Sequence, residues 1–198
     1  MSKVRGSQGE RPPRRHANGP EAPLAPGRRG TNPFWRWSLR VYRSPGVQEA
    51  CLALQDRCGA DVNLLLFCGW IGIAGRALDK RRLRQAIDSV GRWQAEVITP
   101  LRAVRRTLKQ GGLPGAGTPS VMALRRRIVA LELELEYHEQ ALLCGLADTW
   151  PVPARATRPP AAVALGLQRY LATLPRAPSP QDAQHLAWLA DACCATPR

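Results

Sequence analysis

Residues 59–76 read GADVNLLLFCGWIGIAGR, and the fourteen positions between Asp61 and Arg76 carry no charge. As an α-helix, fourteen residues rise about 21 Å, short of the roughly 30 Å hydrocarbon core of a bilayer. Asn63 and the glycines at 69, 72 and 75 weaken insertion further. A helix that is apolar around its whole circumference belongs at the buried centre of a helical bundle. Gly69, Gly72 and Ala74 thin one side of it, so a neighbouring helix can approach closely. No membrane span is expected.

The same grammar extends outward. Ala, Leu and Arg are abundant while Ile, Thr, Tyr and Phe are scarce, which favours helices over strands. Asn32 precedes Pro33 as an N-cap precedes the first helical position, and Ser44–Pro45 repeats the pattern for a second helix that Gly59 closes. Asp61 caps the apolar helix and Asp79 a fourth. In that fourth helix Leu83, Ile87, Val90 and Val97 mark one face, continued by Leu101, Val104 and Leu108, with a kink or restart expected at Thr99 ahead of Pro100. GGLPGAG (111–117) is a turn. Thr118 and Pro119 open a long helix with an apolar stripe at Leu124, Ile128, Leu131, Leu135 and Leu142. LELELE (131–136) alternates like a strand, but the helical spacing continues far beyond it. PVPARATRPP (151–160) is a linker, followed by two short helices near 160–173 and 180–194, the second capped by Ser179.

The expected fold is therefore all-α: an antiparallel helical bundle over 32–148, preceded by a disordered basic tail (1–31). A Pro/Ala-rich linker and two short helices (149–198) follow as a looser C-terminal appendage. The tail is rich in Pro, Gly and Arg and has almost nothing to bury, so it cannot offset its ordering entropy. It also lacks the apolar run of a secretory signal. Six cysteines without such a signal fit a reducing, cytoplasmic compartment.

NPFWRWSLRVYRSPGVQEACLALQDRCGADVNLLLFCGW (32–70) is more distinctive than any single motif, together with Trp93 and the run Thr99-Pro100-Leu101-Arg102. It resembles a family of small bacterial proteins, mainly proteobacterial, defined only as a domain of unknown function. That family shares the Phe-Trp opening, the Pro-Gly-Val start, Leu-Gln-Asp and Gly-x-Asp-Val-Asn-Leu-Leu-Leu-Phe. The likeness runs from Asn32 to around Gly145. It implies a helical, cytoplasmic protein and supplies no activity or site to carry over.

Among chemistry-bearing residues, no catalytic set stands out. His16, His138 and His185 have no acid or nucleophile at the spacing of a triad or a general-base pair. His138 falls where the stripe of the long helix predicts packing. Cys51, Cys58, Cys68, Cys144, Cys193 and Cys194 form no CxxC or CxxxH pattern, so buried thiols are expected rather than a metal site, and no cofactor is implied. Gln55, Asp56, Asp61 and Asn63 gather beside the apolar helix. Capping and loop hydrogen bonds account for these residue types, and a small polar ligand pocket is the alternative.

Charge is more informative. The net charge is +14, and between Glu96 and Glu132 lie Arg102, Arg105, Arg106, Lys109, Arg125, Arg126 and Arg127 with no acidic residue. If the turn at 111–117 closes a hairpin in which facing positions sum to 228, Arg92 meets Glu136 and the seven cations crowd at a basic tip. Their mutual repulsion implies that removing Arg105, Arg106, Arg125 and Arg126 leaves stability unchanged or slightly higher. The leading functional expectation is a non-enzymatic helical module with a protein partner. Sequence-nonspecific nucleic-acid binding through the basic tip comes second, and a ligand binder or enzyme using Asp61–Asn63 third. No oligomeric state follows from the sequence.

Overall fold

The structure, a computed structural model, describes residues 32–76, 78–110, 113–151 and 157–198. The expected disordered tail lies outside these residues. The elements are α1 (Pro33–Tyr42), α2 (Val47–Cys58), α3 (Val62–Ile73), α4 (Lys80–Trp93), a π-helical segment (Gln94–Ile98), α5 (Thr99–Gln110), α6 (Pro119–Asp148), α7 (Pro159–Leu171) and α8 (Pro180–Ala195). There is no strand among the described residues, and the fold is all-α. No helix among them is long and apolar enough to cross a membrane.

Local chemistry sets most of the boundaries. The side chains of Asn32, Asp61, Asp79, Thr118 and Ser179 each accept a backbone N–H from the first turn of the helix they precede. Ser179 and Asp182 complete a reciprocal capping box. Ser44 is the exception. The residue before α2 is Gly46, whose φ of 77° makes the turn, and no side chain caps that helix. Ser44 instead accepts the N–H of Val47 on its carbonyl, so the Ser-Pro-Gly run is a turn rather than a cap. Around Pro100 the helix widens rather than ends. Thr99 donates its N–H to the Gln94 carbonyl, five residues back, which makes room for a ring that clashes with the carbonyl four residues before it.

α3 is the centre of the molecule, with Asn63 through Gly72 all buried. One apolar cluster gathers Phe34 and Trp37 (α1), Leu54 (α2), Phe67 (α3), Leu83 and Val90 (α4), Leu143 (α6), Val163 and Leu167 (α7), and Leu189 and Cys193 (α8). The C-terminal helices, expected as a looser appendage, are thus integral to the core. The reason is the small-residue side of α3. A Cβ on Gly72 would lie 2.6 Å from the backbone of Val163, and one on Gly69 would lie 2.5 Å from Cys193 Sγ. The chain after α8 packs too: Trp37 Nε1 donates to the Thr196 carbonyl at 3.0 Å, and the Arg198 guanidinium sits 4.1 Å from the Trp70 ring.

α5 contributes nothing to this core. Between Thr99 and Leu131 no described residue is buried. At 30 residues, α6 is about 45 Å long, and only its C-terminal part reaches the body. There the face turned inward is Glu132, Glu139, Gln140, Leu143, Cys144 and Ala147. The stripe expected to be buried behaves differently. Ile128 and Leu135 are half-buried, whereas Leu124, Leu131 and Leu142 are exposed. Counting leucines picks the wrong face, because a polar face finds buried partners on α1 and α3. The first part of α6 and α5 form a two-helix arm that overhangs the body.

Candidate functional site

Where the arm meets the body there is a cavity of about 230 Å³, lined from α1, α2, α3, α5 and α6. Trp35, Leu39, Leu52, Val62, Leu66 and Leu133 supply apolar wall, and Leu52 and Leu133 remain about two-fifths exposed. Two ion pairs cross it from arm helix to arm helix, Arg102–Glu136 at 2.5 Å and Arg105–Glu132 at 2.8 Å. Arg102 also donates to Gln55 Oε1 at 3.0 Å, tying α5 to α2. Tyr42 lines the same cavity, its phenol pushed up to about 12 by burial and by Cys51 and Glu136, against the pull of Arg102.

Beneath this cavity runs a hydrogen-bond network made of groups far apart in sequence. The Ser38 hydroxyl donates to Gln140 Oε1 at 2.9 Å, Gln140 Nε2 donates to Asn63 Oδ1 at 2.7 Å, and Asn63 Nδ2 donates to Glu139 Oε2 at 2.7 Å. Asp61 accepts the Asn63 N–H on its side chain, and its own N–H donates to the Tyr170 hydroxyl at 2.8 Å. Glu139 is fully buried. Burial, the neighbouring Asp61 and the hydrogen bond they share push its carboxyl up to about 10. Glu139 is therefore a neutral acid at pH 7. Its Oε2 accepts from Asn63, and no protein donor reaches its Oε1. Asn63 and Gln140 belong to both the network and the cavity wall.

The two groups of candidates read from the sequence thus meet in one place. Gln55 and Asn63 share the cavity with Arg102 and Arg105. Asp61 caps α3 below it, and Asp56 is exposed outside it. The sequence reading named none of Ser38, Tyr42, Glu132, Glu136, Glu139 and Gln140 as a site residue, and Glu132 and Glu136 entered it only as charges. The one signal for the last two was their place directly before the apolar run ALLCGLA (141–147).

The hairpin register differs from the expected one. Facing positions sum to 237–238, and Arg92 pairs with Glu96 on its own helix turn instead of with Glu136. Arg102 and Arg105 are therefore neutralised, while Arg106, Lys109, Arg126 and Arg127 are exposed and Arg125 is half-buried. The expected gain from removing Arg105 reverses sign. The Glu132 side chain is only 9% exposed, so Arg105→Gln strands a nearly buried carboxylate. It is expected to cost about 2 kcal/mol, below the figure for a fully buried pair. Arg126→Gln should change stability by less than about 0.5 kcal/mol. Urea denaturation of both variants checks the difference.

Interleaved with the exposed cations are Val104, Leu113, Met122, Leu124, Val129, Leu131 and Leu133, each 42–50% exposed. Elsewhere, His138 is exposed, against the packing expected from the stripe of the long helix, with its ring 5.0 Å from that of Trp93. All six cysteines are free and only Cys194 is exposed. Burial raises the thiols of Cys51, Cys68 and Cys193 well above their ordinary range. Among the described residues, no group of three or more His, Cys, Asp or Glu side chains could hold a metal ion.

A family model described as Protein of unknown function (DUF2390) matches residues 33–143. That span runs from α1 into the buried part of α6 and takes in the cavity, the arm and all of the network but Tyr170. No curated protein and no solved structure matches the chain.

Proposed function

We propose, from the premise that the chain belongs to this DUF2390 family, that it is a non-catalytic helical module that binds another protein along its α5–α6 arm. The observation that carries the reading is the arm's uncovered apolar surface. Seven large apolar side chains lie exposed on a segment from which the core draws nothing. On α6 they form two rows, Met122, Val129 and Leu133 on one face and Leu124 and Leu131 on the opposite one, and a row of large exposed apolar side chains marks an interaction site. The cations fit this reading better than a nucleic-acid one. Two of the seven are already paired with Glu132 and Glu136, and the exposed ones alternate with leucine, valine and methionine. Non-specific phosphate binding draws on the number of cations free to neutralise phosphates, and the two ion pairs lower that number here. We place the protein in the cytoplasm, a setting that suits six free thiols.

A photo-crosslinking residue placed at Met122 or Val129, with Glu49 on the exposed side of α2 as control, tests the proposal in cells of the native host. Discrete protein adducts are expected from the arm positions and not from Glu49, unchanged by nuclease. Adducts that nuclease abolishes would favour the nucleic-acid reading. Equal labelling from all three positions would remove the arm's claim.

A further inference from the structure

We infer that the partner presents an acidic amphipathic helix, which lies along the underside of the arm and puts one large apolar side chain into the cavity at its root. This rests on the docking reading above and adds the chemistry of what docks.

The shape of the partner follows from α6 itself. Met122, Arg125, Val129, Leu133, Glu136, Gln140, Leu143 and Ala147 succeed one another at three- and four-residue steps, so they form one continuous ridge of the helix. Its C-terminal part, Gln140, Leu143 and Ala147, is buried in the body. Its N-terminal part, Met122, Val129 and Leu133, is 42–50% exposed. The same ridge is thus buried against the body at one end and half exposed at the other. A helix seats its own i, i+3, i+4 and i+7 side chains against such a ridge.

The cavity identifies the anchor. At about 230 Å³ it is smaller than the roughly 300–1,000 Å³ typical of small-molecule sites, and it suits one large side chain. Its charges are already paired, Arg102 with Glu136 and Arg105 with Glu132. A charged anchor would have to break one of those pairs, whereas Trp35, Leu39, Leu66 and Leu133 offer an apolar seat. Aromatic and large aliphatic anchors in such seats dominate helix-in-groove binding.

Charge sets the polar edge of the helix. Arg126 is exposed on the flank of the ridge, Arg106, Lys109 and Arg127 are exposed elsewhere on the arm, and no acidic residue lies between Glu96 and Glu132. A second copy of this chain would bring the same cations face to face, which disfavours self-association here. Carboxylates along the flank of the incoming helix complement them.

The test uses the full chain and two synthetic amphipathic helices, each with a leucine face and one central Trp. One carries a Glu polar face and the other Lys. Fluorescence anisotropy is expected to show binding of the Glu helix alone, weakened roughly tenfold when its Trp becomes Ala. Leu133→Gln in the protein should weaken it similarly, with the melting temperature held. Replacing Arg106, Lys109, Arg126 and Arg127 with Gln should weaken it as well and flatten its salt dependence. The inference is overturned if the Lys helix binds equally, or if neither the peptide Trp nor Leu133 matters. An RNA hairpin that outcompetes the Glu helix overturns it, as does a dimer in sedimentation that Leu133→Gln dissolves. If the Glu helix fails to bind while Met122 still gives its protein adduct, the docking reading stands and only the partner's chemistry is wrong. Loss of both removes both.

Discussion

Gly72→Ala is expected to destabilise the protein by about 3 kcal/mol, near the top of the range for an overpacked core, although alanine is the better helix former. The added methyl would sit 2.6 Å from both the Cα and the N of Val163 and 2.7 Å from its Cγ2. Two of these three atoms are backbone, so no rotamer change relieves the clash. α3 and α7 would have to separate, opening the core around Phe67, Val163 and Leu167. Gly145→Ala is the matched control, because a Cβ there meets nothing within 4 Å. On the exposed face of α6 it should gain up to about 1 kcal/mol from helix propensity. Equilibrium denaturation of the two variants checks both signs. A loss below about 1 kcal/mol for Gly72→Ala would mean that α7 does not rest on α3.

Glu139→Gln is expected to stabilise the protein at neutral and alkaline pH. The native carboxyl is held up to about 10, first by burial, then by Asp61, with Glu136 and the Tyr170 phenol also facing it. In the unfolded chain a glutamate titrates near 4.3. Below that value both states hold the proton and the contribution to stability is complete. As pH rises towards 10 the unfolded state releases its proton and the native state keeps it. Stability therefore falls, by at most about 1.4 kcal/mol per pH unit. Glutamine does not titrate. It can still accept from Asn63 Nδ2 and donate to Asp61, so both hydrogen bonds survive. The variant should match the wild type near pH 5 and exceed it by about 2 kcal/mol or more near pH 7.5. Urea unfolding across that range checks the divergence. Parallel curves would mean that Glu139 is ionised in the native state.

The two predictions rest on kinds of information that differ in how far along the chain they reach. The sequence by itself determined the helices and most of their ends, because a cap is settled within one turn. Asn32, Asp61, Asp79, Thr118 and Ser179 each meet a backbone N–H two or three residues on. It also determined that 62–73 is the centre, since a helix apolar on every side has no solvent face to offer. Ser44 marks the edge of that local legibility, where a glycine two residues later takes the turn.

Only the tertiary structure decided which faces meet. Glu139 and Gln140 read as polar, yet they are buried, because Asn63 and Ser38, 76 and 102 residues away, complete their hydrogen bonds. The leucines at 124, 131 and 142 read as core, yet they are exposed, because α6 outruns the body it packs on. The register of α5 on α6 came from Arg102–Glu136 and Arg105–Glu132 rather than from the length of the turn. α7 and α8 joined the core because Gly72 and Gly69 leave room for Val163 and Cys193. Capping and periodicity belong to one stretch of chain, whereas burial is shared between two. A side chain's periodicity shows which face of its helix it occupies, and the partner across the interface decides whether that face is covered.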